Sequence, residues 1–306
     1  MCTAIYDWKY RPMLGRTLDL EYTNEEAVLR VDRGREMRYL FEPTEQTKAA
    51  MIGTAYPREG FPLFYDAVNE YGVAAAALHF PRSARYRTDR TKRHAVASFE
   101  VIPWVLGRCR TAAEAAELLR ETSITVDQAA PELPASPLHW MIADQRECYA
   151  VEPLEEGTVV TPNPYGVLTN EPPFSHHVSH LSQFSSLSPH TKESSLYPHL
   201  PRLSNGTGAV GLPGDWSSPS RFVRAAFVRA CTLCDETKNK KSDELPQEIN
   251  RFFHIMDTVA LPLGVAYTED GKPISTVYTA CADLAEPAYY LRRYHDCAIR
   301  KFSLTD

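Results

Sequence analysis

Short runs rich in β-branched, aromatic and small apolar residues are the feature that most restricts how this 306-residue chain can fold. Runs of this kind, bounded by turn residues, predict strands. They lie at 72–80, 138–144, 148–154, 158–162, 166–170, 276–284 and 288–294. Because they are short, closely spaced and joined by turns, they favour antiparallel pairing over parallel crossovers.

Helical patterns occupy separate blocks between these strands, at 111–122, 218–231 and 246–260. In the first, Thr111 and Glu114 have capping-box spacing. The second places Ser218 as N-cap and Pro219 at the first helical position. The third has one apolar face, formed by Ile249, Phe252, Phe253 and Met256. Helices in separate blocks predict an α+β fold and not a βαβ repeat.

Charge and hydropathy exclude several classes of partner. The 39 acidic and 33 basic residues are interleaved, so there is no long basic run to neutralise phosphates. Nucleic acid and anionic membrane surfaces are therefore not expected as partners. The start of the chain turns polar after six residues, and no apolar stretch approaches the roughly 18 residues of a membrane span. Seven cysteines without dense regular spacing indicate free thiols, so we expect a cytoplasmic protein.

One segment departs from the strand and helix pattern. Residues 171–208 are rich in Ser, Pro and His and contain few apolar residues. The segment is too long for an ordinary connection, which indicates a binding loop or an assembly arm on the surface. No linker or internal repeat divides the chain, so residues 1–306 are expected to form a single domain.

Two metal-like patterns are weak. The CTLC sequence with Cys231 and Cys234 falls on a predicted helix and lacks a second pair, which favours a buried helix face. Five histidines crowd the 171–208 segment without a fixed acidic or thiol partner, which favours solvated loop histidines. They are His176, His177, His180, His190 and His199. No metal and no cofactor is expected.

Cys2 is the strongest candidate for chemistry. Aminopeptidase removal of Met1, which a small second side chain permits, would leave Cys2 with both a thiol and a free α-amine. A free thiol and a terminal amine ionise within about one pH unit of each other, so one group can take the proton of the other. Nucleophile and general base then lie on one residue. On position alone, an incidental cysteine is the more frequent explanation.

Arg16 and Asp19 strengthen that hypothesis. They lie three residues apart, about one strand length after Cys2, where a hairpin could return them to the chain start. A cation there would stabilise a thiolate, and an anion could orient a protonated amine. A plain surface ion pair is the alternative for these two residues alone.

With these residues, the sequence resembles the choloylglycine hydrolases, N-terminal cysteine hydrolases that include bile salt hydrolase and penicillin V acylase. The resemblance runs in order through nearly the whole chain. Its blocks are MCTAIYD, GRTLDLEY, FPLFYDAVNEYGVAAAALHFP, PLHWMIAD, GVLTNEPPF, GLPGDWSSPSRFVRAAF and TVYTACADL. It implies the N-terminal nucleophile fold, a four-layer αββα sandwich of two stacked antiparallel sheets.

The resemblance also implies roles for particular residues. Cys2 would be the nucleophile, with Arg16 and Asp19 as its immediate partners. Asn170, in VLTNEP, matches the asparagine of the oxyanion hole. The N–H groups of such a hole stabilise the substrate carbonyl oxygen, which becomes negatively charged in the tetrahedral intermediate. Arg221, in SPSRF, matches a second active-site arginine.

His79 departs from the family pattern, where bile salt hydrolases have Asn and penicillin V acylases can have Tyr. The resemblance implies that this position gives a backbone N–H to the oxyanion hole, which any residue except proline can supply. The imidazole of His79 therefore affects the expected substrate preference and not the expected catalysis.

The resemblance implies an apolar acyl pocket suited to a steroid or aryl group. The residues matched to it are Leu18, Leu20, Asn24, Tyr56, Ala129, Leu133 and Leu138. Asn24 and Ala129 replace larger apolar residues of related bile salt hydrolases, which indicates a wider or more polar pocket. Ordinary core packing is an equally good interpretation of each leucine.

The expected function is hydrolysis of glycine- or taurine-conjugated bile salts through a Cys2 thioester, with a small-molecule amide as substrate. Penicillin V or another N-acyl amide is the alternative substrate. A non-catalytic homologue that binds sterols or acyl ligands is the alternative from another class. In related proteins the region of 171–208 reaches a neighbouring subunit, which implies a homotetramer.

Overall fold

The computed structural model describes residues 1–304 except 24–25, 57, 59, 87–89, 91, 132, 134, 195, 202–203 and 235–245. The strands are β1 (Cys2–Asp7), β2 (Met13–Leu20), β3 (Ala27–Val31), β4 (Glu36–Met37), β5 (Glu45–Gln46), β6 (Met51–Tyr56), β7 (Leu63–Asn69), β8 (Ala74–His79), β9 (His94–Ala97), β10 (Thr122–Thr125), β11 (Leu138–Ala143), β12 (Cys148–Leu154), β13 (Gly157–Pro162), β14 (Val167–Leu168), β15 (Ala266–Tyr267), β16 (Pro273–Asp283), β17 (Ala288–Arg293) and β18 (Asp296–Ser303). The helices are α1 (Val101–Leu106), α2 (Ala112–Arg120), α3 (Phe174–Leu181), α4 (Ser218–Cys231) and α5 (Gln247–Asp257). Short 3₁₀ turns lie at Ser98–Glu100, Ser182–Phe184 and Thr207–Ala209.

Two large antiparallel sheets form the centre of the molecule. Sheet A has the order β14-β1-β2-β16-β17-β18, with β15 beside β16. Sheet B has the order β13-β12-β11-β8-β7-β6-β3. The antiparallel pairing and the α+β class predicted from the sequence are both confirmed.

The two-residue period of the strands produces the layers, as β8 shows. Ala74, Ala76 and Leu78 face the core between the two sheets. Ala75 and Ala77 face outward, where they join the core beneath α1 and α2. Helices α4 and α5 cover the opposite face of sheet A. The result is the αββα sandwich that the family resemblance implied.

Gly15 in β2 determines how closely α5 packs on sheet A. A Cβ atom at this position would lie 2.2 Å from the Ala280 carbonyl oxygen and 2.5 Å from a ring carbon of Phe252. Only glycine leaves room for the ring of Phe252 to lie against the strand. This contact fixes α5 over the strand that also carries Arg16.

The predicted elements are present, with different details at their ends. All seven strand-like runs contain a strand, and α5 buries its predicted apolar face. The N-cap of α4 is Ser217 and not Ser218, so Pro219 is its second residue. At α2, Thr111 Oγ1 accepts from Glu114 N, whereas the Glu114 side chain accepts from Arg110 N. One hydrogen bond of the predicted capping box is therefore formed, whereas the other goes to the residue before the N-cap. The predicted buried helix face at the CTLC sequence is wrong, because α4 ends at Cys231, Cys234 lies beyond it, and both side chains are only partly buried.

The 171–208 segment contains two different parts. Its first part forms α3, whose Phe174 and His177 are buried. Its later part exposes apolar side chains, with Leu196, Tyr197 and Leu200 each more than half accessible. Among the described residues, no helix combines the length and apolar character needed to cross a bilayer.

Candidate active site

The β1–β2 hairpin brings Arg16 next to Cys2. Cys2 is the first residue of β1 and lies opposite Leu18, while Ala4 lies opposite Arg16. Arg16 Nη2 is 2.7 Å from Cys2 Sγ, and both side chains are buried. The hairpin predicted from the sequence is therefore present, and it places a thiol in contact with a buried cation.

A split in sheet B holds the guanidinium of Arg16. Pairing between β7 and β8 ends at Asp66 and Ala76, and Tyr65 is the extra residue of a bulge in β7. Arg16 Nη1 donates to the carbonyls of Ala77, at 2.9 Å, and Tyr65, at 3.3 Å. The cation thus satisfies carbonyl groups that lack a strand partner.

Burial disfavours the charged form of Arg16, yet the Cys2 sulfur and nearby acidic groups hold its pKa above the ordinary value. One of those acidic groups is Asp66, which the sequence analysis missed. Asp66 accepts hydrogen bonds from Tyr278 Oη, at 2.5 Å, and from Tyr289 Oη. Burial raises the pKa of Asp66, and Arg16 opposes that shift.

Asp19 lies beside the chain terminus, but its carboxylate faces hydroxyl groups. It accepts from Thr17 Oγ1 at 3.1 Å and from Thr276 Oγ1 at 2.6 Å. Met1 contacts the main chain of Asp19, with its ammonium 2.7 Å from the Asp19 carbonyl oxygen. Burial raises the pKa of Asp19, while the terminal ammonium and Arg221 oppose the shift.

Asn170 links Cys2 in sheet A to His79 in sheet B. It follows β14, which pairs with β1 at the edge of sheet A. Its Oδ1 accepts from Cys2 N and from Arg221 Nη2, each at 2.8 Å. Its Nδ2 donates to the His79 carbonyl at 2.8 Å. An amide nitrogen carries two hydrogens, so Nδ2 can donate a second hydrogen bond.

Arg221 holds the main chain of Cys2 from the first turn of α4. Its Nη1 donates to the Cys2 carbonyl at 2.6 Å and to Thr3 Oγ1 at 2.5 Å, and its Nε donates to the Trp216 carbonyl. Burial lowers the pKa of Arg221, an effect that Asp19 and Cys2 oppose. Arg16 therefore contacts the sulfur of Cys2, whereas Arg221 fixes its backbone.

The backbone of His79 faces Asn170. Phe80 N donates to the Pro137 carbonyl at 2.8 Å, which makes His79 and Leu138 a non-hydrogen-bonded pair in the antiparallel ladder. The N–H and C=O of His79 therefore both point away from β11, on the side where its carbonyl meets Asn170. The imidazole itself is exposed.

Two buried histidines support the Asn170 loop from behind. His139 Nε2 lies 2.7 Å from the Thr169 carbonyl, and His177 Nε2 lies 3.0 Å from the Asn170 carbonyl. His139 Nδ1 is 3.3 Å from Glu152, a buried acid. The interpretation of His177 as a solvated loop histidine is wrong, because the residue is 1% exposed and stacks on Phe222. Burial lowers the pKa of His177 to about 4.

His139 and Glu152 were not predicted from the sequence; they lie on the consecutive strands β11 and β12, which pair in sheet B. A histidine between apolar residues, followed by a glutamate in a predicted buried strand, was the available signal. Buried polar side chains in strands require partners, so such residues are candidates for a network.

The residues matched to the acyl pocket are less closely grouped. Leu18 is buried opposite Cys2, and Leu138 lies opposite His79. Tyr56 ends β6, and Ala129, whose carbonyl accepts from Arg58 Nη1 at 2.9 Å, lies with Leu133 in the segment before β11. Leu20 is partly buried at the end of β2. Asn24 lies outside the described residues.

The arrangement suits nucleophilic acyl transfer. It combines a thiol next to a cation, the start of the chain, and an amide that is bonded both to the Cys2 nitrogen and to the backbone of His79. Across the ranges that the structure describes, no cluster of three or more His, Cys, Asp or Glu side chains is placed to hold a metal ion.

Comparisons with known proteins agree with this geometry. Residues 2–306 match the family model of the linear amide C–N hydrolases of the choloylglycine hydrolase family. A bile salt hydrolase/transferase of Lactiplantibacillus plantarum is 35% identical, over 99% of this chain and 92% of the relative. The C2A variant of the conjugated bile acid hydrolase from Clostridium perfringens superimposes with a TM-score of 0.88 at 31% identity, over 100% of this chain and 93% of that one. Penicillin V acylase from Agrobacterium tumefaciens has a TM-score of 0.76 at 20% identity, over 100% and 87%, and shares the fold.

Proposed function

Because this chain belongs to the choloylglycine hydrolase family of linear amide C–N hydrolases, we propose that it hydrolyses glycine- and taurine-conjugated bile salts. The observation that carries the proposal is the 2.7 Å contact between Arg16 Nη2 and Cys2 Sγ at the start of the chain. The names of the relatives from Lactiplantibacillus plantarum and Clostridium perfringens support the choice of bile salts.

The reaction begins with the mature terminus. Removal of Met1 turns the Cys2 nitrogen, now 2.8 Å from Asn170 Oδ1, into a free amine that takes the thiol proton. The thiolate, held by Arg16, attacks the amide carbonyl carbon. The carbonyl oxygen gains negative charge, which the second Nδ2 hydrogen of Asn170 and the His79 N–H stabilise.

Collapse of the tetrahedral intermediate breaks the C–N bond. The Cys2 ammonium gives its proton to the leaving nitrogen, and the acyl group remains on Cys2 as a thioester. The same amine then takes a proton from water, whose oxygen attacks the thioester carbonyl carbon. The C–S bond breaks, the acid is released, and the Cys2 thiolate with its ammonium is regenerated. Asn170 and Arg221 keep the amine in place, because Asn170 Oδ1 lies 2.8 Å from the Cys2 nitrogen and Arg221 holds the Cys2 carbonyl. We propose that the negative charge of Asp19, which is on the same hairpin as Cys2, favours the protonated amine.

Initial rates on glycocholate, taurocholate and penicillin V, measured with one purified sample, test the proposal. Turnover of a conjugated bile salt with release of glycine or taurine is expected. Cys2→Ala is expected to abolish it, whereas Cys297→Ala, which changes an exposed cysteine, is the matched control. Absence of bile-salt turnover would overturn the substrate class, and turnover of penicillin V alone would establish the alternative substrate.

The acyl group is proposed to lie against the residues matched to the pocket. Leu18 and Leu138 support this, because they lie opposite Cys2 and His79 in their ladders. We propose the same role for Leu20, Asn24, Tyr56, Ala129 and Leu133.

We also propose that the later part of the 171–208 segment is an assembly arm of a homotetramer within a single-domain subunit. Its exposed Leu196, Tyr197 and Leu200 support an interface role. Deletion of 184–204 tests it: the mass in solution is expected to fall below four subunits, and an unchanged mass would contradict the arm.

A cytoplasmic location is proposed from the chemistry of Cys2, whose thiol must stay reduced to act as a nucleophile. Cell fractionation tests this, and recovery of the activity outside the cytoplasm would contradict it.

A further inference from the structure

The two proposed oxyanion groups belong to different sheets. The N–H of His79 is at the end of β8 in sheet B, and Asn170 follows β14 in sheet A. Both must face one substrate oxygen, so the relative position of two chain segments determines how well they act. A direct bond between them, from Asn170 Nδ2 to the His79 carbonyl, is 2.8 Å long.

Glu171 adds a second and stronger connection. Its Oε1 accepts from Arg82 N at 2.7 Å and from Ser83 N at 2.9 Å. Its Oε2 accepts from Ser83 Oγ at 2.5 Å. Successive N–H groups that converge on one carboxylate oxygen form an anion-binding concavity, and charge-assisted bonds of this kind are strong. The residue next to Asn170 is thus fastened to the turn that follows His79.

We propose that Glu171 is a positioning residue for the oxyanion hole, which keeps the turn of Arg82 and Ser83 against the Asn170 loop. It contacts neither the Cys2 sulfur nor the Arg16 guanidinium in the described structure. Its loss therefore leaves the nucleophile in place but lets the His79 N–H and the Asn170 amide separate. This inference rests on the proposed function, because it requires a reaction in which the substrate carbonyl oxygen becomes an oxyanion.

Two reactions of Cys2 separate this role from a general structural one. Amide hydrolysis needs the thiolate and the oxyanion hole, whereas alkylation by iodoacetamide needs the thiolate alone. For Glu171→Ala we expect kcat to fall at least about tenfold with little change in KM. The alkylation rate of Cys2, followed by mass spectrometry of the N-terminal peptide, is expected to stay within about twofold of wild type, because no oxyanion forms in that reaction.

Matched variants complete the test. Glu171→Gln keeps an oxygen for the two N–H groups and an amide that can donate to Ser83 Oγ, so it is expected to recover most of the kcat. Glu269→Ala removes the exposed ion pair with the Arg82 side chain and leaves the bonds of Glu171 in place, and wild-type kcat is expected. If Glu171→Ala does not fold, Ser83→Ala replaces it, with an expected loss of about threefold in kcat.

Several results would overturn the inference. These are an unchanged kcat in Glu171→Ala, an equal fall in hydrolysis and alkylation, or, in the replacement test, an unchanged kcat in Ser83→Ala. Failure of the proposed function looks different, because the wild-type protein would then turn over no conjugated bile salt at all.

Discussion

The polar centre around Cys2 and the wall matched to the acyl pocket are built in contrasting ways. In the polar centre, Cys2, Arg16 and Arg221 are almost fully buried and lie on regular strands and a helix. In the wall, Tyr56 ends a strand and Leu133 lies in an irregular segment, and both are partly exposed. Buried polar groups need partners in fixed places, whereas apolar surfaces tolerate shifts. Under the proposed function, the geometry of the polar centre is therefore more constrained than the geometry of the wall that would contact the acyl group.

Arg16→Lys tests the polar centre with the largest expected effect. A lysine cannot reach Cys2 Sγ and two main-chain carbonyls together, because it lacks the planar fork of donors. We expect kcat to fall about 10³-fold and the free energy of unfolding to fall by about 2 kcal/mol, since buried carbonyls of Tyr65 and Ala77 lose a partner.

Kinetics and urea unfolding measure both effects. Arg93→Lys, at an exposed ion pair with Glu121, is the matched control and is expected to behave as wild type. A kcat within a few-fold of wild type for Arg16→Lys would contradict the contact with the thiolate.

Asn170→Ala is expected to lower kcat about 10²-fold to 10³-fold, because it removes the proposed oxyanion donor and the acceptor of the Cys2 nitrogen. KM is expected to change much less than kcat. A matched control is Asn163→Ala, which removes a buried asparagine of the turn before β14 and leaves the contacts of Cys2 intact. A larger change in KM than in kcat would assign Asn170 to substrate binding instead.

Much of the polar centre could be predicted from the sequence because its residues lie in short motifs with a local cause. The return of Arg16 to Cys2 needs only one hairpin, and α4 begins where Pro219 favours a first turn. Long-range packing could not be predicted in this way. The carbonyls that Arg16 binds depend on a bulge at Tyr65, and the burial of His177 depends on Phe222, 45 positions later.

His177 gives a pH-dependent test of the support behind Asn170. Its pKa is lowered from 6.5 to about 4, so the stability from its neutral form is complete above pH 6.5 and is lost as the pH falls toward 4. When the pH is lowered from 7.5 to 4.5, the free energy of unfolding of the wild type is expected to fall by about 2 kcal/mol more than that of His177→Gln. Urea unfolding of both proteins at the two pH values measures the difference. Equal losses would show that His177 is not held neutral.

Leu133→Ala tests the wall and has the smallest expected effect. Loss of apolar contact with the acyl group is expected to raise KM for a conjugated bile salt about threefold to tenfold, with kcat nearly unchanged. Leu118→Ala, on the outer helix α2, is the matched control for a partly buried leucine away from the site. A fall in kcat as large as that of Asn170→Ala would erase the contrast between the two regions.

The central claim is that Cys2, with its own free amine, is the nucleophile. The most direct measurement is peptide mass spectrometry of the wild-type protein, quenched in acid during turnover of glycocholate. The expected N-terminal peptide begins at Cys2, without Met1, and a fraction carries the mass of the cholyl group on the Cys2 sulfur. An active protein whose N-terminal peptide retains Met1, or whose acyl group lies on another residue, would contradict the claim.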